Sequence, residues 1–129
     1  MGSRFIASKE SEFHEKYKNI VPSAEANDTL WVTGVLGPIR LWKNKYSLDH
    51  DVVKSKEEKM ALEAQITPKM VMEDQKHYEM TYEGNIDDGA VLLGQSIGLI
   101  SSIDSVQDII NNIVSDAEKR LKEVSLCIV

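Results

Sequence analysis

The sequence motif with the clearest chemical meaning is GQSIG, residues 94–98. It has the form G-x-S-x-G, which in many serine hydrolases places a nucleophilic serine on a sharp turn between a strand and a helix. In those enzymes the acid and the histidine follow the serine along the chain, whereas here all three histidines precede Ser96. A serine hydroxyl is also a weak nucleophile unless a base lies beside it. The sequence therefore disfavours a serine hydrolase, and we predict no catalytic residue in this chain.

Metal chemistry is equally weakly supported. His14, His50 and His77 lie far apart and lack the spacing of metal ligands. The stretch NIDDG, residues 85–89, resembles the start of a calcium loop, but an EF-hand needs a glutamate further on, where this sequence is apolar. The single cysteine, Cys127, has no internal disulfide partner. We therefore predict no metal site, a turn at residues 85–89 and a reducing compartment.

Length and charge narrow the class of protein. The chain has 129 residues, enough for one domain with a modest core, and a formal net charge of -6. Acidic chains are poor ligands for nucleic acids and for anionic membranes. The longest uncharged run, residues 89–103, is shorter than the roughly 20 residues that a membrane-spanning helix needs. The N-terminal residues lack the features of a signal peptide, so we expect a cytoplasmic protein without a nucleic-acid or membrane partner.

Helix and strand signals alternate along the chain and indicate a helix-rich α+β fold. Residues 5–8 suggest the end of an extended segment. The remaining elements are recognised by caps, breakers and β-branched runs. We predict a helix from Ser8 or Ser11 to Pro22, a strand at 29–33, an extended or helical piece at 39–44, a helix capped by Ser55, a helix from Thr67 to Gly84, and a helix capped by Asp104 or Ser105.

The last of these helices has the strongest amphipathic pattern. Its apolar residues recur at helical spacing, which predicts that one face packs against the protein. The nearest apolar surface in sequence is the glycine-rich segment at residues 89–100. We therefore predict that Val106, Ile110, Ile113 and Ala117 pack on that segment.

Three stretches together resemble a known family. The first is MGSRFIASKESEFHEKYK, residues 1–18; the second is DTLWVTGVLGPIRLWKN, residues 28–44; the third is GNIDDGAVLLGQSIGLISSIDSVQDIINNIV, residues 84–114. In this order they are similar to the C-terminal part of the nitronate monooxygenase family, also called 2-nitropropane dioxygenase-like. That family includes an FMN-dependent enoyl-acyl-carrier-protein reductase. Residues 48–82 match only loosely.

The resemblance implies a flavoprotein whose (β/α)₈ barrel holds FMN, with a small α+β lid domain. A complete barrel needs about 250 residues, so this chain would hold an incomplete one. We expect residues 1–22 to be the remnant of the last barrel strand and its helix. Residues 23–85 would form the small lid domain. Residues 86–129 would supply the glycine-rich pocket segment and the terminal helix.

The resemblance also assigns roles to a few residues. Gly2 and Ser3 match a glycine and a threonine whose backbone amides hold the FMN phosphate in the family, and such amides suit an anion. Gln95 and Ser96 match the segment that faces the flavin and the substrate. Ser96 would be either a hydrogen-bond donor in that pocket or a helix cap. For Arg40 we expect a surface or salt-bridge role.

The parent protein implied by the resemblance is an FMN-dependent oxidoreductase that binds FMN and a small-molecule substrate. It would oxidise nitronates with dioxygen or reduce its substrate with NAD(P)H. We expect the chain alone to be inactive and to bind FMN weakly, because it retains only the last phosphate contacts. The alternative is a non-catalytic helical module that docks on a separate chain carrying the barrel. A homo-oligomer is a further alternative.

Overall fold

The computed structural model describes residues 1–35, 37–50, 52 and 55–127, without the side chain of Cys127. The end of the predicted segment 86–129 therefore lies outside the described residues. The described part is a helix-rich α+β fold, as the sequence predicts. Its elements are α1 (Gly2–Ile6), α2 (Glu15–Ile20), β1 (Thr29–Gly34), β2 (Gly37–Trp42), α3 (Lys45–Leu48), α4 (Lys56–Glu63), α5 (Pro68–Tyr82) and α6 (Val106–Cys127), with short 3₁₀ helices at Val21–Ser23, Ala26–Asp28 and Gln95–Leu99.

The two strands form an antiparallel hairpin. Their register pairs Thr29 with Trp42 at the open end and Gly34 with Gly37 at the turn. Gly37 has a φ of +121°, a conformation that residues with a Cβ rarely adopt. The strand predicted at 29–33 is confirmed, and the piece at 39–44, left open between extended and helical, is extended up to Trp42.

Several helix boundaries lie where the capping residues in the sequence predict them. The hydroxyl of Ser55 accepts from Glu58 N, and that of Thr67 accepts from Met70 N, as capping predicts. Gly84 ends α5 with a φ of +86°. At the start of α6, the Ser105 hydroxyl accepts from Asp108 N, which confirms one of the two predicted caps.

The predicted start of α2 at Ser8 or Ser11 is wrong. The helix begins at Glu15, and the cap is His14, whose Nδ1 accepts from Lys16 N at 3.1 Å. The Ser8 hydroxyl instead donates to Phe5 O, so it is already engaged with the preceding helix.

The extended segment predicted at residues 5–8 is also wrong for its first half. Phe5 and Ile6 belong to α1. The amides of Arg4 and Phe5 bond to Met1 O, which satisfies them within a helical turn rather than in a strand. Ser8 alone has extended pairing, in a parallel bridge with Asp104.

The main core lies between α2 and the segment that carries the GQSIG motif. Both elements contribute apolar side chains that are almost fully buried, and removing this apolar surface from water stabilises the fold. The cluster consists of Ala7, Tyr17, Ile20, Val21, Ala24, Val91, Leu93, Ile97 and Ile100. A smaller cluster of Val32, Leu41 and Ala90 joins the hairpin to the same segment. The GQSIG segment is therefore held from two sides.

Helix α6 makes a different contact from the predicted one. Among its described side chains only Ile109 is buried, with 1 % exposed. Ile110 and Ile113, which the sequence predicts to pack on residues 89–100, are 45 % and 41 % exposed, so that prediction is wrong. They belong to a run of exposed aliphatic residues, here called the α6 stripe: Ile110, Ile113, Val114, Leu121 and Val124.

The cause lies in how α6 is attached. Its first turn is tied down where Glu10 accepts from Val106 N and where Lys9 N donates to Asp104 O. Beyond that turn the described residues leave the aliphatic side chains of the α6 stripe exposed. No helix that the structure describes is long and apolar enough to cross a lipid bilayer.

Candidate functional site

A hydrogen bond joins the two segments that the sequence singles out. The amide of Gly94 donates to the Ser3 hydroxyl oxygen at 2.9 Å, across 91 residues of chain. Ser3 is buried and Gly94 is half-buried. Gly2 and Ser3 therefore lie beside Gly94, Gln95 and Ser96, and these five residues are here called the Ser3–Gly94 corner.

The corner is open to solvent on one side. A Cβ placed on Gly2 would meet no atom within 4 Å. A Cβ placed on Gly94 would lie 3.6 Å from the Ser3 hydroxyl and 3.9 Å from the Ser96 hydroxyl, so both oxygens face the same small volume. Gln95 and Ser96 are exposed. A ligand can therefore approach the backbone and two hydroxyls at once.

Two helical turns begin at this corner. The first intrahelical bonds run from Arg4 N to Met1 O in α1, and from Ile97 N to Gly94 O in the 3₁₀ helix. The amides just before them lie in the first turns, where N–H groups have no partner within the helix. Such amides readily donate hydrogen bonds to the oxygens of an anion. The residue types and geometry thus suit an oxyanion held by backbone amides and hydroxyls.

The charged residue nearest in sequence is turned away from the corner. Arg4 forms an ion pair with Asp104 and donates to Ser102 O at 2.9 Å and to Ala7 O at 3.0 Å. The pKa of Asp104 lies below its usual value, chiefly because the Ser102 hydroxyl donates to it and further because of the Arg4 guanidinium. This pair fastens α1 to the segment that follows the GQSIG motif, and so stabilises the corner from outside.

Sequence reasoning missed a second anchor, Asn44. Its side-chain amide donates to Ile86 O and to Gly89 O, each at 2.7 Å, and so closes the turn that precedes the glycine-rich segment. Its carbonyl oxygen accepts from Ser47 N, which caps α3. The Asn44–Ser47 capping signal is visible in the sequence, but the bonds to the distant turn are not.

The histidines have partners away from Ser96. His14 Nδ1 accepts from the backbone at the start of α2. The Nδ1 atoms of His50 and His77 lie 2.8 Å and 2.7 Å from carbonyl oxygens, those of Tyr46 and Asp88, and carbonyls accept only. These bonds engage one nitrogen of each ring.

Arg40, for which the sequence predicts a surface or salt-bridge role, contacts other residues of the hairpin. Arg40 lies on the hairpin, where it donates to the Thr29 hydroxyl at 3.1 Å and stacks 5.7 Å from the ring centre of Trp31, its cross-strand partner. Its interactions therefore connect the two strands of the hairpin.

Among the described residues, no group of three or more His, Cys, Asp or Glu side chains could hold a metal ion.

A family model and two solved structures match this chain. The family model for nitronate monooxygenase matches residues 1–116. The chain is similar to the structure of FabK from Thermotoga maritima, with a TM-score of 0.75 and 29% identity over 99% of this chain and 39% of that one. A structure of a mutant of that FabK gives a TM-score of 0.72 and 28% identity over 99% and 36%. The chain thus spans little more than a third of either. Among curated protein sequences, none matches.

Proposed function

Because the chain belongs to the nitronate monooxygenase family, we propose that it is the C-terminal part of an FMN-dependent oxidoreductase of the nitronate monooxygenase or enoyl-acyl-carrier-protein reductase type. Members of the family are flavoproteins. The observation that carries the proposal is the hydrogen bond between Gly94 and Ser3, because it joins the two segments that the family resemblance assigns to FMN. The proposed partners are FMN, a small-molecule substrate and further polypeptide, in a cytoplasmic protein.

The Ser3–Gly94 corner fits one part of FMN, the phosphate. The amides of Gly2 and Ser3 would donate to phosphate oxygens, and the lack of any atom near a Gly2 Cβ leaves room for them. The Ser3 hydroxyl accepts from Gly94, so its own proton remains available to a second acceptor. Gln95 and Ser96 would face the flavin and the substrate, where their side chains can donate hydrogen bonds. A bound flavin supplies electron and hydride transfer, while these residues bind and orient.

The α6 stripe supports the view that more polypeptide belongs to the functional unit. Its five aliphatic side chains are 41 % to 71 % exposed along one helix, and exposed apolar residues that recur on a helix can mark a surface for another polypeptide. The FabK chains contain further sequence, more than half of their length, that this chain does not span. We propose that the corresponding part of the parent protein covers the stripe and completes the barrel.

Weak FMN binding at a defined place is the expected property of this chain alone. The few hydrogen bonds at the corner contribute about 0.5–1.5 kcal/mol each. Immobilising a ligand costs at least several kcal/mol, roughly 4 or more. We therefore expect a dissociation constant in the millimolar range, with the phosphate end of FMN at the corner.

A titration followed by amide NMR tests this expectation. FMN is added to the ¹⁵N-labelled chain, and the amides of Gly2, Ser3, Gln95 and Ser96 should shift saturably. Riboflavin, which lacks the phosphate, should leave the amide chemical shifts of Gly2 and Ser3 unchanged. The variant S3A should lose the effect, whereas S23A, a serine hydroxyl bonded to carbonyls of α2, should keep it.

Two results would contradict the proposed site, and a third would contradict the expected weak binding. The first is a saturable shift confined to other residues. The second is an equal response to riboflavin, since the corner would then not recognise phosphate. The third is micromolar or tighter binding, because the described contacts are too few for that affinity.

A further inference from the structure

Tyr17 connects the buried core to the backbone of the glycine-rich segment. Its ring is 2 % exposed, in the main core cluster. Its hydroxyl donates to Leu92 O at 2.6 Å, across 75 residues of chain. Leu92 stands two residues before Gly94, so this bond fixes the backbone just before the Ser3–Gly94 corner.

The hydroxyl of Tyr17 is a permanent donor. Burial raises the pKa of this phenol above its ordinary value, although the bond to Leu92 O opposes that rise. The group therefore stays protonated at any pH at which the protein works. A carbonyl oxygen can only accept, so the Tyr17 hydroxyl is always the donor and Leu92 O always the acceptor.

Neighbouring carbonyls of the segment are held by two different elements of the fold. The carbonyl of Val91 accepts from Trp42 N of β2 at 2.8 Å, and that of Leu92 accepts from Tyr17 of α2. The hairpin and α2 thus each hold one of two consecutive backbone carbonyls of the segment. The next anchor along the chain is the bond from Gly94 to Ser3.

We propose that Tyr17 is a positioning residue for the glycine-rich segment, acting through Leu92 to set where Gly94, Gln95 and Ser96 lie. Its phenol fixes the direction in which the chain enters the corner, while Ser3 fixes the corner itself. That these residues then face FMN and substrate rests on the proposed function. The positioning itself rests on the hydrogen bonds alone.

The chain offers a matched control in Tyr82. Phe13 packs against both tyrosine rings, at centroid distances of 5.0 Å to Tyr17 and 4.7 Å to Tyr82. Tyr82 is 57 % exposed, whereas Tyr17 is buried. The substitutions Y17F and Y82F each remove one hydroxyl and keep the ring. Only Y17F removes the hydrogen bond to Leu92 O.

The test compares amide hydrogen exchange and ¹⁵N–¹H spectra of the wild-type chain, Y17F and Y82F. Both variants should keep the wild-type circular dichroism, because the rings remain. In Y17F the amides of Gly94, Gln95 and Ser96 should shift, and Gly94 should exchange about tenfold faster or more, since local opening becomes easier. In Y82F its rate should change by less than about twofold. The amides of Val32 and Leu41, in the other core cluster, serve as the internal reference.

Each other outcome overturns the inference. Unchanged exchange at Gly94 in Y17F would mean that Ser3 holds the corner alone. Equally faster exchange at Val32 and Leu41 would mean that the hydroxyl contributes to global stability only. Unfolding of Y17F would lead to the same conclusion. These measurements are made without FMN. If FMN causes no saturable shift but Y17F speeds the exchange of Gly94, the proposed function is refuted and the positioning role of Tyr17 remains.

Discussion

Replacing Ile109 by alanine should destabilise the chain far more than replacing its neighbour Ile110. Ile109 is 1 % exposed and is the buried anchor of α6, whereas Ile110 is 45 % exposed and belongs to the α6 stripe. The two residues have the same side chain and lie in the same helix, so helix propensity cancels between them. The comparison therefore isolates burial.

The magnitude follows from the carbons removed. An isoleucine side chain exceeds that of alanine by three carbons, and each buried one contributes about 0.8 kcal/mol, so the transfer part for Ile109 is roughly 2.4 kcal/mol. The cavity left behind adds to this, which gives about 2.5–4 kcal/mol for I109A. For Ile110 about half of the transfer part applies and no closed cavity forms, so I110A should cost roughly 1 kcal/mol.

Urea unfolding followed by circular dichroism measures both differences, and a thermal scan provides a second estimate. For a domain of this size about 1 kcal/mol corresponds to roughly 3–5 °C in Tm. I109A should therefore lower Tm by about 8–20 °C, and I110A by less than about 5 °C. The charged variant I110D is the sharpest control, because solvent at an exposed site tolerates a carboxylate.

A loss of several kcal/mol in I110D would refute this reasoning. It would show that Ile110 is desolvated, as in the packing that the sequence predicts for α6. Equal effects of I109A and I110A would lead to the same conclusion.

Two further results are expected. The variant G89A should lose roughly 1–3 kcal/mol in urea unfolding, because its Cβ would clash with the backbone oxygen of Asn85. G2A, whose Cβ would have no atom nearby, should stay within about 0.5 kcal/mol, and equal losses would refute the close packing at Gly89. The pKa of Asp104 is lowered in the folded state, so its contribution to stability is present above the ordinary value of 3.8 and is lost as the pH falls through the lower folded value. Tm measured against pH should therefore show the difference between wild type and D104N narrowing in that acidic range, and a difference that grows there would contradict the sign.

The elements that the sequence predicts correctly depend on neighbours a few residues away. Ser55 and Thr67 cap helices through amides three residues on, and Gly84 ends α5 by its own backbone conformation. The strand at 29–33 follows from its β-branched and aromatic composition. The family follows from three short motifs in order. The division at residues 1–22, 23–85 and 86–129 stays a prediction, as do the ligand roles at the corner.

Other features could be decided only by contacts between distant parts of the chain. Two candidate caps for α2 are present in the sequence, but Ser8 is engaged with Phe5, and His14 caps the helix instead. The helical pattern of α6 shows that a face is apolar, yet not which residues meet the protein, and the structure buries Ile109 rather than Ile110.

The candidate site has the same division. Its residue types are read from the motifs, but their meeting depends on the bond between Ser3 and Gly94, on the phenol of Tyr17 and on the amide of Asn44. A local pattern reports the conformational preference of a few consecutive residues. Which hydrogen-bond partner a buried group finds, across 75 or 91 residues, depends on how the whole core packs, and only the tertiary structure decides that.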